Sequence, residues 1–314
     1  MGSKGAGGGA RLLRVLGLTF GLAVTVGNTI GAGILRTPGE VAAQLPGAWA
    51  ILGVWAAGAA YALLGANSLA ELATMMPRSG GQYVFARRAF GGYAGFVVGW
   101  SDWVSTCGSV AAVAIVIGEY AGALLPALSG RAAAVASAVT LGFALLQWRG
   151  VRWGSRAQTL TSLMKALAFV AVIAACFALG GGGALGGAEE ARAGAGAGAV
   201  TLLAVTLALQ SVIYTYDGWT GVIYFSEEVA DPARDIPRSM FGGVLLVALI
   251  YLLFNLALLY VLPVARLAGA ELAAGEAASE LFGPRGDTLV RALTVVALLS
   301  SVNALLLIAT RVPF

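Results

Sequence analysis

The sequence predicts an all-α polytopic membrane protein, and three observations carry that prediction. Of its 314 residues 59% are hydrophobic and 11% charged, and the mean hydropathy of +0.86 lies far outside the range of soluble domains. Eight apolar segments reach the length a bilayer core demands, spanning roughly 15–38, 47–71, 92–124, 132–148, 158–180, 200–227, 240–263 and 288–310. Two of them, the first and the sixth, carry helix-breaking residues at mid-depth. The same composition excludes other classes. There is no His, and the only cysteines, Cys107 and Cys176, lie in apolar runs, so neither a His/Cys metal centre nor a disulfide framework is available, and no cofactor is called for. The net charge of +4 records the bias of Arg and Lys toward one membrane face and is no argument for a nucleic-acid partner.

Taken in order, residues 1–14 form a Gly-rich tail with Arg11 and Arg14, and the apolar run behind it is too long for a signal peptide. Inside the first segment stands Gly27-Asn28-Thr29-Ile30-Gly31-Ala32-Gly33. Each Gly costs about 1 kcal/mol in a helix interior, and irregular backbone at this depth is tolerated only where it is buried in protein or lines a cavity. Gly27 and Gly31, four apart, also suit a close helix crossing. Both readings stand on this stretch alone.

The long third segment reads as a tilted helix. In the fifth, Lys165 lies nine residues beyond Arg156, about 13 Å at the helical rise and close to the midplane if Arg156 marks the interface. Residues 181–199 read as an external Gly/Ala-rich linker carrying Glu189 and Glu190. In the sixth segment, Tyr214-Thr215-Tyr216-Asp217-Gly218-Trp219 places a carboxylate in an apolar run. Insertion there costs about 2.5 to 3.5 kcal/mol, so Asp217 should face a cavity or a partner, or cap a broken half-helix. Asp217 and Lys165 are read as the two intramembrane charges. Residues 265–281 read either as a short interfacial helix or as a plain loop. Outside Lys165, twelve Lys and Arg fall on the face shared with the N-terminus and six on the other, which puts the N-terminus in the cytosol.

The two breaks lie five segments apart, the spacing an inverted repeat of five helices produces, with a binding site between them. On that plan 15–180 is the first repeat and 200–314 a partial second one. The chain ends directly after the eighth span.

The residues after the sixth span carry a resemblance. Glu227-Glu228-Val229-Ala230-Asp231-Pro232-Ala233-Arg234-Asp235-Ile236-Pro237-Arg238 closely resembles the signature of the amino acid-polyamine-organocation superfamily. Gly31-Ala32-Gly33-Ile34 is similar to that family's G-S-G-I-F element, with Ala32 at the usual Ser. Pro77-Arg78-Ser79-Gly80-Gly81-Gln82-Tyr83 resembles its loop before the third span. Within the superfamily, Tyr216-Asp217-Gly218-Trp219 and Ser301-Val302-Asn303 look like the L-type amino acid transporter branch and its bacterial relatives.

The resemblance implies a five-plus-five inverted-repeat, LeuT-like transporter fold of about twelve spans, hence a chain lacking roughly the last four, with a non-functional truncated fragment as an alternative reading. It implies alternating-access transport of amino acids in the plasma membrane, sodium-independent by exchange or proton linkage. The substrate carboxylate would meet the half-helix amides at Gly31, Ala32 and Gly33. Its ammonium would meet orphan carbonyls at Asn28, Thr29 and Ile30 and those near Tyr214, Asp217 and Gly218. Ala32 removes a hydroxyl from the carboxylate pocket. By resemblance Tyr214 is an aromatic gate, Trp219 lines the side-chain subsite, and Lys165 takes the place of a sodium ion, with first-break carbonyls, Ser300 and Ser301 as partners. The expected partners are an amino acid and the bilayer. With neither Cys in an external loop, no disulfide-linked partner subunit is expected. A polyamine or organic-cation transporter, with Asp217 meeting a second amine, is the competing reading. An enzyme or a channel has little support, because there is no compact catalytic motif and no continuous polar stripe.

Overall fold

The computed structural model describes residues 14–181, 183 and 200–312. The N-terminal tail up to residue 13 and nearly all of the Gly/Ala-rich linker lie outside the described residues. Among those described, every predicted span is occupied by helix. The first is split into α1 (Leu18–Thr29) and α2 (Gly33–Gln44), which meet at a 46° bend. Then follow α3 (Ala48–Met75), the short α4 (Gln82–Phe90), the 33-residue α5 (Gly92–Leu124), α6 (Ala132–Trp148) and α7 (Val151–Leu179).

The sixth span begins as α8 (Leu202–Tyr216), where the Thr201 side chain accepts from Ala204 N at 3.1 Å and caps the first turn. It stops at Asp217. Gly218 has φ +116°, a left-handed conformation that only Gly adopts without strain, and the chain continues as a 3₁₀ turn over Trp219–Phe225. The second half of this span is therefore 3₁₀ rather than α.

The seventh span, α9 (Pro232–Val261), starts eight residues earlier than hydropathy alone places it. The Asp231 side chain accepts from Arg234 N at 3.3 Å and Pro232 occupies the first turn, so capping chemistry sets the start while apolar content sets only the buried part. The 265–281 stretch is not a plain loop but helical over most of its length. It forms α10 (Val264–Leu267) and α11 (Ala273–Phe282), and α11 buries Ala273, Ala274, Ala277 and Ala278. Its small residues let it pack on α2 and on α12 (Arg285–Ala309). Gly269 N donates to Gly39 O at 2.9 Å, which fixes this segment against the middle of α2.

Two apolar cores result. The larger joins α1, α2, α3, α8, the 3₁₀ turn, α9 and α11 with one face of α7 and, through Val290, Leu307 and Ile308, part of α12; the smaller joins α5, α6 and the middle of α12. Polar contacts also cross between them, among them Lys165 to Ser301 and Tyr224 to Asp102.

Candidate functional site

The first break is built by its own backbone. Ile30 N donates to Val26 O at 3.0 Å and ends α1, and α2 restarts at Gly33. Among the described residues, no hydrogen bond leaves the amides of Gly31, Ala32 or Gly33, and all three residues are partly exposed. Three orphan donors at a helix start are suited to an anion.

The carbonyls of the break point to the opposite side and meet a cation. Lys165 of α7 is fully buried, and its ammonium donates to Gly27 O at 2.9 Å, to Ile30 O, and to Ser301 Oγ of α12 at 3.1 Å. Ser301 Oγ in turn donates to Gly27 O at 3.2 Å. The sequence pairs Lys165 with both serines, but Ser300 belongs elsewhere. It joins Ser162 Oγ at 3.1 Å and Gln158 Nε2 at 3.3 Å, while Ser162 Oγ donates to Ala23 O at 2.7 Å. Asn303 extends this buried network by donating to Gln158 Oε1 at 2.8 Å. Consecutive residues on a helix point about 100° apart, so Ser300 and Ser301 serve two separate clusters.

The second break lies directly against the first. Asn28 Nδ2 donates to Gly218 O at 3.0 Å, and a Cβ on Gly218 would come within 2.8 Å of the Asn28 carbonyl carbon. Thr37 and Thr215 join their hydroxyls at 2.7 Å. Tyr251 of α9, absent from the sequence-derived site, places its hydroxyl 2.9 Å from Thr29 O and 3.1 Å from Thr215 O.

Three expected ligand residues stand differently. Tyr214 is 80% exposed, while its neighbours Thr215 and Tyr216 are buried. Asp217 is exposed and caps the broken helix, its Oδ1 accepting from Gly218 N at 2.9 Å. Trp219 is buried, wedged where a Cβ on Gly65 of α3 would touch its ring. The sequence reading also passed over a second carboxylate inside an apolar span. Asp102, ten residues into α5, accepts from Tyr224 Oη at 2.8 Å and joins the two cores. The rule that flagged Asp217, a charge inside a span, flags Asp102 equally.

The two glycines of the pair are packed differently. A Cβ at Gly27 would overlap the Gln158 and Ser162 side chains, whereas one at Gly31 meets nothing within 4 Å. Gly27 is thus the packing notch and Gly31 the open position. Gly27→Ala should lower stability by about 1 to 3 kcal/mol through overpacking, and Gly31→Ala should leave the melting temperature of the purified protein nearly unchanged. Equal melting temperatures for the two variants would contradict this division.

Two broken spans in contact, with bare amides on one side and a carbonyl-bound lysine on the other, make this an all-α protein of several apolar spans built around paired helix breaks. The chain belongs to the amino acid permease family, whose profile matches residues 12–314. It is similar to the serine/threonine exchanger SteT of Bacillus subtilis (strain 168), 29% identical over 308 residues, 96% of this chain and 68% of that protein. It also resembles the b(0,+)-type amino acid transporter 1 of Oryctolagus cuniculus, 30% identical over 281 residues, 87% of this chain and 56% of the relative. The large neutral amino acids transporter small subunit 2 of Mus musculus is 28% identical over 288 residues, 90% of this chain and 53% of the relative. The chain therefore spans little more than half the length of these last two. The family and the all-α transporter fold agree with the resemblance read from Glu227–Arg238 and its companion motifs.

Proposed function

We propose that the protein moves amino acids across the cell membrane by alternating access, with the N-terminus in the cytosol and without sodium. The observation that carries this reading is the pairing of unbonded amides at Gly31, Ala32 and Gly33 with carbonyl-rich half-helix ends at both breaks. A zwitterion offers one anion and one cation a few ångströms apart, and backbone dipoles of opposite sense answer both without a charged side chain. In this reading the substrate carboxylate docks on the amides, its ammonium meets the carbonyls of Thr29 and Thr215, and residues 15–180 and 200–314 act as a first and a partial second repeat.

Lys165 supports the sodium-free part. Its ammonium already occupies the carbonyl and hydroxyl oxygens of Gly27, Ile30 and Ser301, a donor set of the hard oxygen type a small cation would use. A fixed cation there removes the need for a dissolved one. The relative described as a serine/threonine exchanger makes small hydroxylated amino acids the first substrates to test. Uptake of labelled L-threonine into proteoliposomes should be unchanged when choline replaces external sodium, and internal unlabelled threonine should accelerate it if the protein is an exchanger. Abolition of uptake by the choline replacement would end the sodium-independent reading. Competition by putrescine in place of neutral amino acids would favour the organic-cation reading through Asp217.

A further inference from the structure

Away from the paired breaks, an open cleft of about 1050 Å³ is bordered by Arg78, Ser79, Tyr83, Arg87, Arg88 and Glu227. The backbone between α3 and α4 builds it. Gly80 and Gly81 take φ +113° and +58°, left-handed values that Gly adopts without strain, so the chain leaving α3 folds back on the first turn of α4. A Cβ on Gly80 would lie 3.3 Å from Val84 Cγ2, and one on Gly81 would overlap the Tyr224 ring. Glu227, two residues past the 3₁₀ turn, closes the far wall.

Three guanidinium groups and one carboxylate thus share one cleft, and among the described residues none of the four makes an ion pair. Arg87 instead donates from Nη1 to Tyr83 Oη at 2.8 Å and lies over that ring, 5.9 Å from its centroid, which holds it to the wall. Ser79 is 8% exposed and its hydroxyl has no partner, a costly arrangement for a buried donor. The cleft is therefore built, positively charged and polar, with groups left over for a ligand.

Its surroundings place it at a membrane surface. The nine-residue α4 buries none of its residues. Phe90, which ends it, is 80% exposed, and Tyr93 and Phe96 at the start of α5 are 83% and 60% exposed. Aromatic residues at the end of a span sit at headgroup depth, and a helix with basic and aromatic residues and no buried face lies along the interface. The cleft opens where lipid phosphates are.

We propose that this cleft binds an anionic phospholipid of the phosphatidylglycerol type, its phosphate held by Arg78, Arg87 and Arg88 and its headgroup hydroxyls meeting Glu227 and Ser79. Guanidinium forks match phosphate oxygens. A carboxylate only accepts hydrogen bonds, so Glu227 favours hydroxyl donors beside the phosphate and disfavours a second phosphate. A phosphatidylethanolamine headgroup could also donate to Glu227, but it is neutral overall and gains less from three positive charges set against one negative. The site is separate from the transport reading and its test needs no transport.

The measurement is the melting temperature of the full chain in detergent micelles with added phosphatidylglycerol, phosphatidylethanolamine, phosphatidylcholine or soluble sn-glycerol 1-phosphate. Phosphatidylglycerol at a hundredfold excess over its Kd should raise it by about 5 °C, and the other three should do far less. Arg78→Gln with Arg87→Gln should weaken binding about a hundredfold and cancel the shift. Arg152→Gln with Arg156→Gln, an equal loss of charge outside the cleft, should keep it. Arg88→Gln and Ser79→Ala remove side chains without a hydrogen bond inside the protein, so each should leave the lipid-free melting temperature unchanged. Each should also weaken phosphatidylglycerol at least about threefold, and these two variants decide the matter if the double variant fails to fold. The site is overturned if phosphatidylcholine or phosphatidylethanolamine stabilises as much as phosphatidylglycerol, or if the Arg152/Arg156 pair cancels the shift as fully as the cleft pair. It is equally overturned if neither Arg88→Gln nor Ser79→Ala weakens the lipid, or if glycerol phosphate matches the lipid at equal concentration.

Discussion

Lys165→Met should reduce amino acid uptake about a hundredfold while leaving the protein folded and in the membrane. The ammonium makes three hydrogen bonds that tie α7 to the α1 break and to α12. Bonds from a charged donor are worth about 1.5 to 3 kcal/mol each, and losing even two of them at the step that moves the break is worth roughly two orders of magnitude in rate. Stability should respond far less. Burying an ion is itself costly, so an apolar side chain of similar length removes that cost together with the bonds. The measurement is initial uptake in proteoliposomes alongside the melting temperature. Uptake close to the parent rate would show that Lys165 has no part in transport. A large fall in melting temperature with proportionate loss of uptake would make it a structural residue only.

Arg311→Met should destabilise the protein by about 3 to 5 kcal/mol, the cost of leaving a buried carboxylate without its partner. Arg311 follows α12, and its guanidinium donates from Nε at 2.9 Å and from Nη2 at 3.3 Å to the Glu228 carboxylate, which is almost wholly buried. It also lies over the Phe225 ring, 5.3 Å from its centroid. Glu228 is held by its backbone as well, its carbonyl accepting from Val15 N and Leu16 N at 3.0 Å each, while Ala230 N donates to Leu16 O at 2.8 Å. One ion pair thus fastens the end of α12, the end of the 3₁₀ turn and the start of α1. Glu228→Gln in the Arg311→Met background should recover most of the lost stability, because it removes the stranded charge. Amide hydrogen exchange at Leu16 and Ala230 should quicken in the single variant and slow again in the double one. Additive losses in the double variant would mean that the two side chains are not coupled.

The relation of sequence to structure is clearest in the sixth span. Tyr214, Thr215 and Tyr216 are consecutive, and the resemblance assigns the substrate contact to Tyr214, which is 80% exposed while Thr215 and Tyr216 are buried. Nothing in the local pattern distinguishes the three. In a membrane protein lipid and core are equally apolar, so an apolar helix carries little periodic signal of which side faces inward. The same ambiguity separates Ser301, which meets Lys165, from Ser300, which does not.

By itself the sequence marked the apolar segments that fold as helices, where the first and sixth of them break, and that Lys165 and Asp217 lie within them. Each of these follows from composition over a short window, because bilayer length, glycine's low helix propensity and the cost of a buried charge are local properties. The rotation of each helix and the pairing of groups far apart in the chain were decided only by tertiary packing. That packing gave Gly27 to a helix crossing and left Gly31 open, joined Asn28 to Gly218, closed Asp102 on Tyr224, and brought the Tyr251 hydroxyl between the two breaks. A hydrogen bond needs a partner within about 3 Å, and for these residues the partner lies on another helix.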